Sequence, residues 1–164
     1  MNFPRQLEAD GSVEKIREAL ASHTVRLWPE GRLDVPLLHL SDPLVNALQK
    51  ARLQRRIRPG FEDIAEKMAA EQKGIEFAHK QMNTRQNERV SRLLLFSNDG
   101  AERLYRHIEQ ILTGHSLRIL GCQLDCDSKT MGQLIARKST GIKVILVEHK
   151  DAVSDVLRAL LQKQ

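Results

Sequence analysis

The sequence is poor in aromatic residues and cysteines and has no long apolar run, and each shortage excludes a class of protein. Aromatic residues make up 4% of the 164 residues, with one Trp and one Tyr, too few to stack a series of bases on exposed rings. Two cysteines, Cys122 and Cys126, are too few for a disulfide-stapled secreted domain or a four-ligand zinc site. No stretch approaches the roughly 18 apolar residues of a membrane span. We therefore expect a cytoplasmic protein with free thiols and no membrane contact.

Glycine-rich phosphate loops are also missing. The segment Ser97–Gly100 follows an apolar run but contains a single glycine, and neither a dinucleotide-binding nor a P-loop pattern is present. The six histidines are scattered, and no Ser-His-Asp or Cys-His arrangement is indicated. No cofactor is expected on these grounds, and the sequence leaves open whether the protein is an enzyme.

What is present is a moderate excess of positive charge. There are 26 Lys and Arg residues against 21 Asp and Glu, which gives a formal net charge of +5 and a pI of about 9.5. Such a balance permits contact with nucleic acid, although many small proteins share it.

The C-terminal half alternates apolar strands with amphipathic helices. Three short apolar runs, Val90–Phe96, Leu117–Leu124 and Ile142–Val147, read as strands buried on both faces, and a helical pattern follows each. Repeated strand-then-helix units are typical of parallel sheets. Residues 90–164 are therefore predicted to form an α/β domain with a small parallel sheet of three β-strand/α-helix units.

The N-terminal half has a different pattern. Residues 24–40 alternate apolar and polar side chains around a Pro-Glu-Gly turn, which predicts a short β-hairpin. Pro36 lacks an amide donor, so its strand is expected to lie at an edge or to stop there. Residues 42–89 predict a helical hairpin broken at Pro59-Gly60. Whether residues 1–89 are a separate N-terminal domain or an extension of the C-terminal one stays open.

Two features of this helical hairpin suggest a binding surface. Apolar residues recur at intervals of seven over residues 61–82, interrupted by Glu71, and this narrow stripe indicates a partner helix or self-association. The first helix ends in the densest basic cluster of the chain, where side chains could contact phosphate or nucleic acid: Lys50, Arg52, Arg55, Arg56 and Arg58. Cations near a helix C-terminus are also the structural expectation, because the helix dipole favours them there. Our first hypothesis is a non-enzymatic binding or assembly module that acts on a protein or nucleic-acid partner.

A second hypothesis concerns the ends of the predicted strands. In a parallel sheet, polar residues that follow each strand meet at the carboxyl edge, where ligands bind. The polar side chains predicted there are Ser97, Asn98, Asp99 and His149, and the candidate metal ligands are Asp125, Asp127 and Glu148. Three carboxylates could hold Mg²⁺ for phosphoryl transfer. Several of these acids could equally be helix caps.

The same residues carry a resemblance to a known family. The segment KVILVEHKDAV, residues 143–153, is similar to the strand-glutamate element of toprim domains, and DCDSKTMGQLIA, residues 125–136, resembles their DxD element. This resemblance implies a Mg²⁺-dependent nuclease or phosphoryl-transfer site with Asp125, Asp127 and Glu148 as the metal carboxylates.

Overall fold

The computed structural model describes residues 1–82, 88–135 and 140–162. The helices in this part of the chain are α1 (Arg5–Ala9), α2 (Val13–Ser22), α3 (Asp42–Leu53), α4 (Phe61–Met82), α5 (Glu102–Gly114), α6 (Ser128–Ile135) and α7 (Lys150–Ala159). The strands are β1 (Thr24–Arg26), β2 (Asp34–Leu38), β3 (Ile57–Pro59), β4 (Arg92–Phe96), β5 (Ile119–Leu124) and β6 (Val144–Val147).

All six strands belong to a single sheet with the order β1-β2-β5-β4-β6-β3. The pairs β2/β5 and β4/β5 are parallel, whereas β1/β2, β4/β6 and β3/β6 are antiparallel. The predicted α/β class, the three strand-then-helix units and the short β-hairpin are confirmed. Strands from residues 1–89 and from residues 90–164 therefore hydrogen-bond within the same sheet.

The direction of β6 corrects the prediction of a fully parallel sheet. β6 runs opposite to β4, with Leu93 facing Val147 and Phe96 facing Val144. The physical reason lies in the connection after α6: the amide of Ile142 donates to the carbonyl of Ser128 at 2.9 Å. The chain has thus returned to the start of α6 before β6 begins, so β6 starts at the edge where β4 ends.

This topology gives the sheet two chemically different edges. We call the edge where β2, β4 and β5 end the carboxyl edge, and the edge where they begin the amino edge. Because β6 is reversed, the residues that follow it lie at the amino edge.

Helices cover both faces of the sheet because its strands are apolar on both sides. Alternate side chains of β4 enter two separate clusters, with Leu93 and Leu95 on a first face and Leu94 and Phe96 on a second. Helices α1, α2, α3, α6 and α7 bury their apolar residues on the first face, and α4 and α5 on the second. The result is a three-layer α/β/α arrangement.

The two helices predicted as a hairpin are both present, and β3 lies between them. Helix α3 packs against α6 and α7 on the first face. Helix α4 buries Ile64 and Met68 on the second face, so the sheet itself covers the first half of the predicted apolar stripe. Residues 83–87, the predicted continuation of this helix, lie outside the described residues.

None of the helices in the described part of the chain is both long enough and apolar enough to traverse a bilayer.

Candidate functional site

Three parallel strands deliver polar side chains to the carboxyl edge. His39 follows β2, Asn98 follows β4 and Asp125 follows β5. The carboxylate of Asp125 lies 3.3 Å from His39 Nδ1 and accepts a long hydrogen bond of 3.4 Å from Asn98 Nδ2. The ring of His23 meets that of His39 edge-on at 5.8 Å. All four side chains are exposed, so this array lies on the surface and faces solvent.

Asp99 and Asp127 both cap the same helix, α6. Asp99 accepts from the amide of Ser128 at 3.0 Å and from its hydroxyl at 2.9 Å, and Asp127 accepts from the amide of Thr130 at 2.7 Å. The bond from Thr130 lowers the pKa of Asp127. Slight burial by itself raises the pKa of Asp99, but the nearby hydroxyl of Ser97 and the hydrogen bonds from Ser128 outweigh it and lower the pKa. These two acids therefore stabilise the N-terminus of α6 as caps.

The predicted metal ligands are not brought together. Asp125 and Asp127 lie at the carboxyl edge, whereas Glu148 follows the reversed strand β6 and lies at the amino edge, where it pairs with Arg58. Within the described ranges there is no group of three His, Cys, Asp or Glu side chains that could hold a metal ion. Among the described residues, Asp125, Asp127 and Glu148 therefore do not converge on one metal position, as the resemblance to toprim domains requires.

The other predicted polar side chains also separate. Ser97 is only 1% exposed and its carbonyl accepts from the hydroxyl of Tyr105 at 2.9 Å. His149 belongs to the amino edge, because β6 is reversed. There its Nδ1 accepts from the amide of Asp151 at 3.1 Å and caps α7. Ser97 also lies at the carboxyl edge but is buried, so the predicted side chains that are exposed there are Asn98, Asp99, Asp125 and Asp127.

A cleft opens beside the carboxyl edge, on the second face of the sheet. It lies between the loop that joins β1 to β2 and the first turns of α5, and its volume is about 410 Å³. We call it the aromatic cleft and define it by six of its lining side chains: Arg26, Trp28, Asn98, Glu102, Tyr105 and Gln123. The only Trp and the only Tyr of the chain both line this cleft.

The amino edge collects cations. Within the predicted basic cluster, Lys50 lies 3.6 Å from Asp155 and Arg58 pairs with Glu148. Arg52 is half-buried, with an Nε that has no hydrogen-bond partner in the described structure. Arg55 ends α3 in the left-handed conformation, with φ of 59°, and its side chain is exposed. Arg56, half-buried, comes next.

Further cations extend this basic surface. Arg5, Arg89 and Lys150 line a second cleft of about 280 Å³ at the amino edge. The guanidinium of Arg89 lies 2.7 Å from Glu8 and donates to the carbonyl of Phe3 at 2.9 Å. We define the basic edge as Arg5, Arg55, Arg56, Arg89 and Lys150.

Sequence reasoning missed His39, Trp28 and Gln123 at the carboxyl edge, and Arg5 and Lys150 at the amino edge. His39 was missed because the sequence gives no sign that β2 pairs in parallel with β5. Lys150 could have been found only with the direction of β6. For Trp28 the sequence offers one signal: it is the single Trp of a chain poor in aromatic residues, and it directly precedes the Pro-Glu-Gly turn.

The fold defines the class of this protein as a three-layer α/β protein with a mixed sheet, and comparison with known proteins goes little further. No family model matches the chain, and no curated protein matches its sequence. Among solved structures, it is similar to a protein of unknown function from Bacillus halodurans C. The identity is 14%, the TM-score is 0.51, and the match covers 74% of this chain and 100% of that one. At this identity, the likeness shows a shared fold alone.

Proposed function

We propose that the protein is a non-enzymatic binding module of the cytoplasm that holds a nucleic acid against its basic edge. The observation that carries this proposal is that Arg5, Arg55, Arg56 and Lys150 have no carboxylate within 4.0 Å in the part of the chain that the structure describes. Cations that are not neutralised within the protein are available to phosphates, whose bound counterions are released on contact.

The members of the basic edge lie next to one another along the structure. The carbonyl of Arg56 accepts from the amide of Glu148 at 2.8 Å, which places α3's end beside the end of β6. Lys150 follows two residues later and shares a cleft with Arg5 and Arg89. This continuity suits a ligand with repeated phosphates better than a single small anion.

The side chains of the basic edge favour contact with the phosphate backbone of a nucleic acid over recognition of its bases. Trp28 and Tyr105 both line the aromatic cleft, so neither indole nor phenol is available at the basic edge for stacking. Arg and Lys side chains that contact phosphates fix the position of a nucleic acid but carry no sequence information. We therefore expect binding that depends strongly on salt and weakly on sequence.

The thiols support a role without covalent catalysis. Cys122 and Cys126 are free and buried. Burial raises the pKa of Cys126 to about 11 and that of Cys122 well above its ordinary range, so neither is a thiolate at neutral pH. Reduced buried thiols also fit a cytoplasmic protein.

Self-association through residues 61–82 stays a prediction. The second half of α4 contains Phe77, which is 64% exposed, and the half-buried Ile75, so an apolar surface remains beyond the part that the sheet covers.

A pair of triple variants tests the nucleic-acid proposal. Arg55→Ala, Arg56→Ala and Lys150→Ala together remove three charges from the basic edge. The matched control is Arg103→Ala, Lys129→Ala and Lys143→Ala, which removes three exposed charges from the carboxyl edge. Binding to labelled single-stranded and duplex nucleic acid is measured by anisotropy between about 50 mM and 200 mM salt.

We expect the basic-edge variant to bind more weakly and with a flatter dependence of log K on log salt. The slope should fall in magnitude by about two to three, because each lost phosphate contact removes about 0.9 from it. The control should keep the slope of the natural protein. Absence of binding at low salt, or equal weakening in both variants, contradicts the proposal.

A further inference from the structure

We propose that the aromatic cleft binds a nucleobase, the planar heterocycle of a nucleoside or nucleotide. This inference does not rest on the proposed function, because the cleft and the basic edge lie at opposite ends of the strands. It is carried by the position of the cleft in the sheet, by its aromatic side chains and by its amides.

The cleft lies where the topology of the sheet creates a crevice. β4 and β5 are adjacent and parallel, yet the helix after β4 packs on the second face while the helix after β5 packs on the first. Chains that leave neighbouring strands toward opposite faces open a gap at the carboxyl ends, which is the usual ligand position in open α/β sheets. Asn98, just after β4, and Gln123, near the end of β5, lie on the two sides of this gap.

The aromatic side chains of the cleft are held in place. The hydroxyl of Tyr105 donates to the carbonyl of Ser97 at 2.9 Å and accepts from the amide of Gly100 at 2.8 Å. These bonds fix the phenol ring and the loop after β4 together. Trp28 has the guanidinium of Arg106 over its ring, 5.9 Å from the centroid. Aromatic rings held in this way offer an apolar wall for a planar ligand at little cost in side-chain entropy.

Two amides in the cleft have capacity to spare. Gln123 is the one polar side chain of β5, a strand that is otherwise buried. The side-chain amide of Gln123 makes no hydrogen bond within the described structure. The side-chain amide of Asn98 makes only the long bond to Asp125. An Asn or Gln amide presents a donor and an acceptor side by side, which matches the paired groups on the edge of a base.

The charges of the cleft favour a neutral ring over a simple anion. The guanidinium of Arg26 lies 3.0 Å from Asp34 and donates to the carbonyl of Gly31, so its charge is already engaged. Glu102 adds a carboxylate at the other side. A cleft of about 410 Å³ falls in the usual range for small-molecule sites.

Fluorescence of Trp28 gives a direct test, because no other tryptophan contributes to the signal. Adenosine, guanosine, cytidine and uridine are titrated into the full chain, together with their monophosphates and with ribose 5-phosphate. Calorimetry repeats each titration, so that absorption of light by the bases cannot imitate binding. We expect saturable binding of at least one nucleoside and its monophosphate, and none of ribose 5-phosphate.

Variants then localise the binding. Asn98→Ala and Gln123→Ala should each weaken the affinity by about tenfold, the usual size of a lost hydrogen bond to a polar ligand group. Lys129→Ala, an exposed change at the same edge, should leave it unchanged, and far-UV circular dichroism checks that each variant is folded. Three results overturn the proposal: no nucleoside binds by either method, ribose 5-phosphate binds as tightly as the nucleotides, or both amide variants bind as the natural protein does.

Discussion

One carboxylate at the amino edge holds two arginines. Glu71 of α4 accepts from Nη2 of Arg92 at 2.8 Å through one oxygen and from Nη2 of Arg118 at 2.6 Å through the other. The side chains are 16%, 20% and 8% exposed, in the order Glu71, Arg92 and Arg118. Two cations share a single anion here. Loss of Glu71 would therefore leave both guanidinium groups without this counter-charge, whereas loss of either arginine would leave one ion pair intact.

We expect Glu71→Gln to destabilise the protein by about 3 kcal/mol, because two nearly buried guanidinium groups then lose their counter-charge. Glutamine keeps the size of the side chain, so packing is preserved. Glu66→Gln, an exposed change on the same helix, is the matched control and should change the free energy of unfolding by less than about 0.5 kcal/mol. Urea denaturation at pH 7 measures both.

The free energy of unfolding of the natural protein and that of Glu71→Gln should also depend differently on pH. Burial by itself raises the pKa of Glu71, but the hydrogen bonds and charges of Arg92 and Arg118 outweigh it and lower the pKa. A lowered pKa in the folded state gives stability that is present above the unfolded pKa of about 4.3 and is lost as the pH falls through the folded pKa. The natural protein should therefore lose more stability on acidification than Glu71→Gln does. Parallel pH profiles would show that the carboxylate is not held as described.

Sequence periodicity identifies Glu71 as an interruption of an apolar stripe, but it does not reveal that Glu71 pairs with two arginines. Its partners are 21 and 47 residues away, and the sequence gives no distance between side chains so far apart. Asp99 illustrates the same limit over a shorter range. It is the natural cap for the helix that follows it, yet its carboxylate reaches Ser128, 29 residues on, and caps α6 instead. The residue types indicate that these carboxylates need hydrogen-bond partners, but the partners are determined by the tertiary structure.

At the scale of elements, the contact between α5 and β5 depends on a glycine. A methyl group added at Gly121 would lie 2.5 Å from Cδ1 and 3.1 Å from Cγ of Leu112. Leu112 is 7% exposed and belongs to the core of the second face. The absence of a side chain at Gly121 lets the helix approach the strand.

We expect Gly121→Ala to cost about 1–3 kcal/mol through overpacking. Leu112→Ala alone should cost about 2–5 kcal/mol through the cavity that it leaves. Because the added methyl group occupies part of that cavity, the double variant should lose less than the sum, and a double-mutant cycle in urea measures the difference. Gly74→Ala is the matched control: nothing lies within 4 Å of the added atom, and the loss of a mid-helix glycine should stabilise the protein by about 1 kcal/mol. Additive losses, or destabilisation by Gly74→Ala, contradict this account.

The sequence predicts the elements better than their pairing. Apolar periodicity is local, so α3, α4, α5, α7 and the strands β4, β5 and β6 can be located from it. The partner of β2 could not be found in this way. Pro36 favours an edge strand, and β5 in fact pairs only with Leu37 and Leu38, the two residues after the proline. A pairing of two residues leaves no periodic signal.

At the scale of the molecule, the direction of β6 decides where charges collect. β6 has the sequence VILV, and all four residues are buried. A continuous apolar run of this kind indicates a strand buried on both faces but does not indicate its direction. The sequence therefore predicts that β6 exists but not which edge receives Glu148, His149 and Lys150. Reversal of β6 moves these residues from the carboxyl edge, where the predicted magnesium site needs Glu148, to the amino edge beside Arg56.

The positions of the basic edge and of the aromatic cleft at opposite ends of the strands depend on that reversal, and nuclear Overhauser effects between the backbones of β4 and β6 test it most directly. An antiparallel pair in the described register predicts cross-strand contacts that link Leu93 with Val147 and Phe96 with Val144. Contacts that link Leu93 with Val144 and Phe96 with Val147 would show a parallel pair. They would return Glu148 to the carboxyl edge and contradict both the basic edge and its separation from the aromatic cleft.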